Sequence, residues 1–440
     1  MRKLILAGLI TLVGIMPAFA APVTRAVLEN GLTVLAVQSD VAPMAGVAVV
    51  IRASVGDEPG ELAGARALLQ QMVVIDHQHR INERMSPISA IVERQMSGLS
   101  VNTDWDFVEM GFAAVPEELS EGLDVLAEAA FDFELTESTF ERAAQLVARA
   151  HDLSHQSPVQ STFDLFRSAF YGKNPMGRGL YGDPGQFDDM DLARLQSFRD
   201  AYYVPANAYL CVVSPLPAGE AIALVRRGFG DFPAATVPMP GDLPEPPVDS
   251  RVEVGESPDL AQASMVIGVP LPGYGDPQFH AGEMIGALLE GRGGRLRRDL
   301  GLLQGLGLSI PTRLLEQHYP LQAISPPIAH RPYLAVHALS SPRQVERVRT
   351  GLLRHLMALR EGAVTEAELE RAKRRVINSH RHATRTPAEA ALYLARRAMF
   401  GLGDADEAVA AIEELTPEDL SAVARDYFDR HAIGVQMPAT

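Results

Sequence analysis

The histidines are the first residues to weigh for chemistry. His151 and His155 stand four apart in a helix-like run, a spacing that places two imidazoles on one face and can hold a divalent ion. The intervening Asp152-Leu153-Ser154 supplies no base where a hydrolytic pair needs one, so a polar-face pair is the expected reading. His77 and His79 in Asp76-His77-Gln78-His79 read as an exposed loop or helix end. His380 and His382 follow Arg374-Arg375 and read as a charged helix face. Gly291-Arg292-Gly293-Gly294 lacks the Lys-Ser/Thr of a phosphate loop, and no nucleophile elbow or catalytic triad pattern is present. Cys211 is the single cysteine, which excludes an internal disulfide and any Cys-rich zinc site. Its setting, Ala208-Tyr209-Leu210-Cys211-Val212-Val213, reads as a buried strand and its thiol as structural.

The elements that must position any site belong to an ordinary globular chain. It has 440 residues, 47% hydrophobic and 21% charged, which suggests two or three domains. A formal charge of -16 repels phosphate backbones and disfavours nucleic-acid binding. One Trp and few aromatics argue against a sugar-stacking surface. Met1-Arg2-Lys3, the apolar run Leu4 to Met16 and Pro17-Ala18-Phe19-Ala20 have the three-part plan of a secretory signal peptide over residues 1–20. The expectation is export to the periplasm, with no membrane span after signal removal.

Residues 23–232 read as a first domain. Runs on either side of Asn30-Gly31 predict a hairpin, and Ala45 to Ala53 a strand. Leu62, Ala65, Leu68, Leu69 and Met72 predict a helix over 57–74. Leu99 to Thr103 and Phe107 to Val115 predict strands, and Glu117 to Phe131 and Glu137 to Leu153 helices, the latter opened by Thr136. Prolines crowd residues 233–250, which reads as a semi-stiff linker before a second domain at 251–440. Asp200-Ala201-Tyr202-Tyr203 before the strand at 208–213 is echoed by Arg425-Asp426-Tyr427-Phe428 before Ile433 to Met437, which suggests an internal duplication. Without strict β-α alternation the fold class is α+β: two tandem homologous domains, each an antiparallel-rich sheet packed with helices, which the resemblance given below implies are arranged as a half-shell.

Several blocks then carry a family resemblance. Glu29-Asn30-Gly31-Leu32-Thr33-Val34, Arg52 to Glu58, Ala113-Ala114-Val115-Pro116-Glu117-Glu118-Leu119, Tyr202-Tyr203-Val204-Pro205-Ala206-Asn207, Phe229 to Pro233, Val364 to Lys373 and Leu415 to Leu420 follow in order across nearly the whole chain. Together they resemble the pitrilysin/insulinase-type zinc metallopeptidases, the inverzincins, and especially their two-domain processing-peptidase branch. The resemblance implies a His-x-x-Glu-His helix: two His bind zinc and the Glu activates its water. The five matching positions here are Ala67-Leu68-Leu69-Gln70-Gln71, so both His positions, Ala67 and Gln71, and the base position, Gln70, are replaced. The later pair of Glu, seven apart, falls at Ala143 and Ala150. The family's Arg/Tyr pair falls at Gly301 and Leu308. Ala has no lone pair, and a Gln amide is a poor zinc donor that takes no proton near neutrality. No catalytic residue, metal ligand or cofactor is therefore carried over. Arg295, Arg297 and Arg298 nearby read as a solvated basic helix end.

The resemblance also implies a role. The family works in pairs in which one subunit lacks the zinc helix, and this chain is expected to be such a partner of an active zinc peptidase, in a heterodimer that encloses peptide substrates within an acidic interior. Peptides would add to an edge strand near the former zinc helix, at Leu99, Ser100, Val101, Asn102 and Thr103. Two alternatives are a stand-alone periplasmic peptide-binding or scaffold protein and a residual zinc metalloendopeptidase.

Overall fold

The computed structural model describes residues 22–83, 98–239, 243–258, 260–289, 294–295, 322–324 and 331–439. The leader-like segment 1–20, the positions Gly301 and Leu308, Arg297, Arg298 and the glycine run at 291–293 lie outside them.

The first half contains β1 (Thr24–Val27), β2 (Thr33–Gln38), β3 (Ala45–Arg52), α1 (Ala65–Glu83), β4 (Ser100–Thr103), β5 (Phe107–Ala114), α2 (Leu119–Phe131), α3 (Glu137–His155), α4 (Pro158–Tyr171), α5 (Leu192–Tyr202), β6 (Ala208–Ser214) and α6 (Ala218–Phe229). The second contains β7 (Arg251–Ser257), β8 (Ala263–Pro270), α7 (Phe279–Leu289), β9 (Gln322–Ile324), β10 (Tyr333–Ser340), α8 (Val345–Ala358), α9 (Glu366–His382), α10 (Pro387–Met399), α11 (Ala405–Glu414), α12 (Pro417–Tyr427) and β11 (Ala432–Pro438).

Local chemistry explains most boundaries. The hairpin turns at Gly31, whose φ of +90° suits glycine. Asn30 Nδ2 donates to Phe229 O at 2.7 Å and so ties the turn to α6. Thr136 caps α3 by accepting from Thr139 N. The helix expected over 57–74 starts later, at Ala65, and runs on to Glu83. Pro59 and the left-handed Gly64 (φ +93°) hold the approach in short 3-10 turns. The Glu58 carboxylate then accepts from Gly64 N and Arg66 N, both at 3.0 Å, and so satisfies two donors at the start of α1.

The two sheets share one plan. The first runs β1-β2-β6-β3-β5-β4 and the second β7-β11-β8-β10-β9. In each, one parallel pair (β2 with β6, β7 with β11) sits beside an antiparallel remainder. The repeat expected from the sequence is visible in this order, and among the described residues β1 has no counterpart in the second sheet.

The helix layer crosses between the halves. Helix α4 lies between β5 and β6 of the first sheet in sequence but packs on β7, β8 and β11 of the second. Helix α10 comes from the second half and packs on β3, β5 and β6 of the first. Under α4 lie Phe163, Phe166, Phe170 and Tyr171 with Val266, Tyr333 and Ala432 of the second sheet. Under α10 lie Ala390, Ala391 and Leu394 with Val50, Cys211 and Val213 of the first. Glycines make the approach possible. A Cβ on Gly46 would lie 2.2 Å from Pro387 C and Ala388 N, and one on Gly434 would lie 2.4 Å from Phe166 N. The described part of 233–250 has no regular structure, and Asn174 Nδ2 donates to Pro244 O at 2.6 Å to hold it against the first half.

Candidate functional site

The two features that the sequence singles out, the altered helix and the candidate edge strand, are neighbours. Helix α1 packs against β4, and β4 is the terminal strand of the first sheet. Among the described residues it pairs with β5 alone, in the register Ser100↔Gly111 to Thr103↔Val108. Leu99 precedes the strand and packs on the core. Ser100 and Asn102 are exposed, and Val101 and Thr103 are half-buried. Ser100 Oγ donates to Gly111 O at 2.9 Å, and Asn102 Nδ2 to Glu109 Oε1 at 2.9 Å. The strand is thereby tied to β5, and among the described residues no strand pairs with its outer edge.

One face of α1 carries Ala67 and Gln71, four apart, and the adjoining face carries Arg66 and Gln70. Ala67 is part of the hydrophobic core. Gln70 is only 2% exposed, and among the described residues neither of its side-chain polar atoms has a hydrogen-bond partner. The Tyr203 hydroxyl is also unpartnered, yet Gln70 lies close enough to act on its phenol, which burial pushes well up. Arg66 is fully buried. Its Nε meets Glu58 Oε1 at 3.0 Å and its Nη1 donates to Ala53 O at 3.0 Å and to Asp104 O, so α1 is stapled to the residue after β4.

A catalytic zinc ion does not fit this donor set. Zinc asks for imidazole or carboxylate donors at about 2.0–2.2 Å. Ala67 and Ala143 present buried methyls, Ala150 a half-buried one, and the Gln70 amide is enclosed beside Arg66 and Tyr203. Among the described residues no group of three or more His, Cys, Asp or Glu is placed to hold a metal ion.

The other half reaches the site through α10. Arg396 Nε donates to Glu109 Oε2 at 2.6 Å, its Nη2 donates to Glu109 Oε1, and its guanidinium lies over the Phe107 ring. Burial raises Asp104 above the usual carboxylate range, with the Trp105 backbone N–H and the Arg396 charge opposing. Tyr274 stacks on Phe400 at 4.0 Å between centroids.

Other sequence candidates fall elsewhere. The rings of His151 and His155 stack at 4.0 Å on α3, and His155 Nε2 lies 2.9 Å from Asp164 Oδ2 of α4. His77 and His79 lie within α1, not in a loop. His382 is exposed, but His380 corrects the charged-face expectation: it is buried, with Nδ1 2.7 Å from Tyr393 Oη. Burial lowers its pKa. Arg295 is a second correction. It is not solvated but buried, with Nε 3.0 Å from Glu368 Oε1 and Nη2 2.9 Å from Oε2. Glu368 also closes the capping box of α9 with Thr365, and that Thr-x-x-Glu pattern was the available signal. Arg66, Glu58 and the Glu109–Arg396 pair had no comparable sequence signal.

Residues 33–184 match the model of insulinase (peptidase family M16), and residues 189–376 match that of the peptidase M16 inactive domain. An uncharacterized zinc protease of Mycobacterium leprae is 22% identical over 81% of this chain and 78% of its own. The beta subunit of the mitochondrial-processing peptidase of Neurospora crassa is 22% identical over 48% of this chain and 44% of its own. A protease from Helicobacter pylori superposes with a TM-score of 0.82 at 18% identity, over 95% of this chain and 100% of that one. Among the described residues no helix is long and apolar enough to cross a membrane.

Proposed function

This chain belongs to the M16 peptidase family, and we propose that within it the chain is a non-catalytic subunit, exported to the periplasm, which pairs with a zinc-bearing relative and helps enclose its peptide substrates. The observation that carries the reading is the joint replacement at Ala67, Gln70, Gln71, Ala143 and Ala150 on a scaffold otherwise kept intact. Random decay of one ligand would leave the others. Here every position that would grip the metal or move its water's proton is apolar or a neutral amide. The subunit's contribution is physical. An extended peptide adds to the outer edge of β4, where main-chain hydrogen bonds supply affinity irrespective of sequence and the exposed Ser100 and Asn102 meet its side chains. Arg66 holds α1 against that edge by bonding Asp104 O.

The test is co-expression with a related chain that keeps His-x-x-Glu-His, encoded beside it. A stable complex that cleaves peptides, zinc confined to the partner, and no cleavage by this chain alone are the expected results. Failure to form any complex removes the pairing. Cleavage by the isolated chain that a chelator abolishes removes the non-catalytic assignment.

A further inference from the structure

The internal repeat supplies a control for every position of the second sheet. Across the first sheet, Val34 lies beside Leu210 and Leu210 beside Val49; the matching row of the second is Val252, Ile433 and Ile267. The next rows are Ala36, Val212 and Val47, and Val254, Val435 and Met265. The inner members of all four rows lie in the helix-covered cores. The outer members differ. Val34 and Ala36 are 0% exposed, whereas Val252 is 48% and Val254 63% exposed. The cause is visible. Helix α6 and strand β1 cover β2, and among the described residues neither has a counterpart over β7. Val248, just ahead of the strand, is exposed as well.

Strand β7 is a flat and regular edge that carries charges of both signs. Its seven residues, Arg-Val-Glu-Val-Gly-Glu-Ser, contain no Pro and no Lys, and they pair with β11 in one unbroken register. We propose that β7 is an interface between two copies of this chain, which pair antiparallel about a two-fold axis through Val252 and so join their second sheets. Charge selects both the occupant and the register. With the axis at Val252, Arg251 of each copy faces Glu253 of the other, and the two Val252 side chains meet. Both charged residues lie on the face toward α4, where Ser168 Oγ already orients Glu253 at 2.9 Å. An axis one residue on would oppose Glu253 to itself, and an axis at Val254 would set Arg251 against Ser257 and make no ion pair. The Val252 axis opposes no like charges from Val248 to Glu256. It also closes a two-fold assembly, the commonest symmetry of soluble oligomers. It leaves β4, at the edge of the other sheet, open.

The experiment is sedimentation of the full mature chain with circular dichroism as the fold control. The wild type is expected to be a salt-sensitive dimer. Arg251→Glu and Glu253→Arg should each weaken it about 100-fold, as two cross-strand ion pairs become two repulsions. The double variant Arg251→Glu/Glu253→Arg should recover it, because the two-fold restores both pairs with reversed sign. Cys211 is buried, so an added cysteine reports alone. Val252→Cys should oxidise to a self-linked dimer, and Val254→Cys, which faces Ser250, should not. A monomeric wild type, a dimer indifferent to Arg251→Glu, no recovery in the double variant, or cross-linking of Val252→Cys to a different polypeptide would each overturn the proposal.

Discussion

Arg396 and Glu109 lie 287 residues apart in the chain and are joined by a two-pronged ion pair, with Nε donating to Oε2 at 2.6 Å. The bond fastens α10, from the second half, to β5 of the first sheet. Glu109 is buried and also accepts from Asn102 of β4, so one carboxylate serves the helix exchange and the candidate edge together.

Removing that carboxylate strands two donors. Glu109→Ala should cost about 2–3 kcal/mol in urea unfolding, below the usual figure for a buried pair because Arg396 is partly exposed. Loss of the Asn102 anchor should also raise amide exchange across Ser100–Thr103.

The exchanged helices should make the two halves one folding unit. Gly46→Ala and Gly434→Ala each place a methyl against backbone of the helix above, and each should destabilise by about 3 kcal/mol or more. A chain cut within 233–250 should yield unfolded halves when they are made separately and a folded complex when they are made together. Two independently folded fragments would contradict the exchange.

His337 sets a pH dependence. It is buried on β10, its Nε2 lies 3.0 Å from Ser264 Oγ, and Thr162 of α4 donates to the same oxygen at 2.8 Å. Burial lowers its pKa to about 4. The folded pKa therefore lies below the unfolded value of about 6.5, and the unfolded chain binds more protons between them. This contribution is full above pH ~6.5 and is lost as the pH falls toward ~4, by an amount on the order of 3 kcal/mol. His337→Gln should flatten that part of the stability profile, read by denaturant midpoints at stepped pH.

Gln70 should be dispensable for folding. Its amide is enclosed beside Tyr203 with no hydrogen-bond partner among the described residues, so Gln70→Met removes an unsatisfied group at similar volume. Stability within about 1 kcal/mol of wild type, or a gain, is expected by thermal melting. A loss of several kcal/mol would show that the amide is bonded.

Residue type and order alone determined the α+β class and the repeat, because these depend on local periodicity and turn chemistry, while the altered helix was read through the family resemblance. Asn30-Gly31, the Thr136 cap and Ala67-Leu68-Leu69-Gln70-Gln71 carry that information within a few residues. The start of α1 was less legible, since Pro59 and Gly64 act through backbone geometry against a continuous apolar pattern. Arg295 and His380 looked solvated because their partners, Glu368 and Tyr393, lie 73 and 13 residues further along the chain, where nothing beside Arg295 or His380 points to them. Only the tertiary structure decided which sheet each helix covers. Helices α4 and α10 have ordinary apolar faces, and whether such a face meets its own sheet or its neighbour's depends on chain crossing and on the room left by Gly46 and Gly434. The same reason separates Val34 from Val252: equivalent residues in equivalent strands, one covered and one bare, because cover comes from elements distant in the chain.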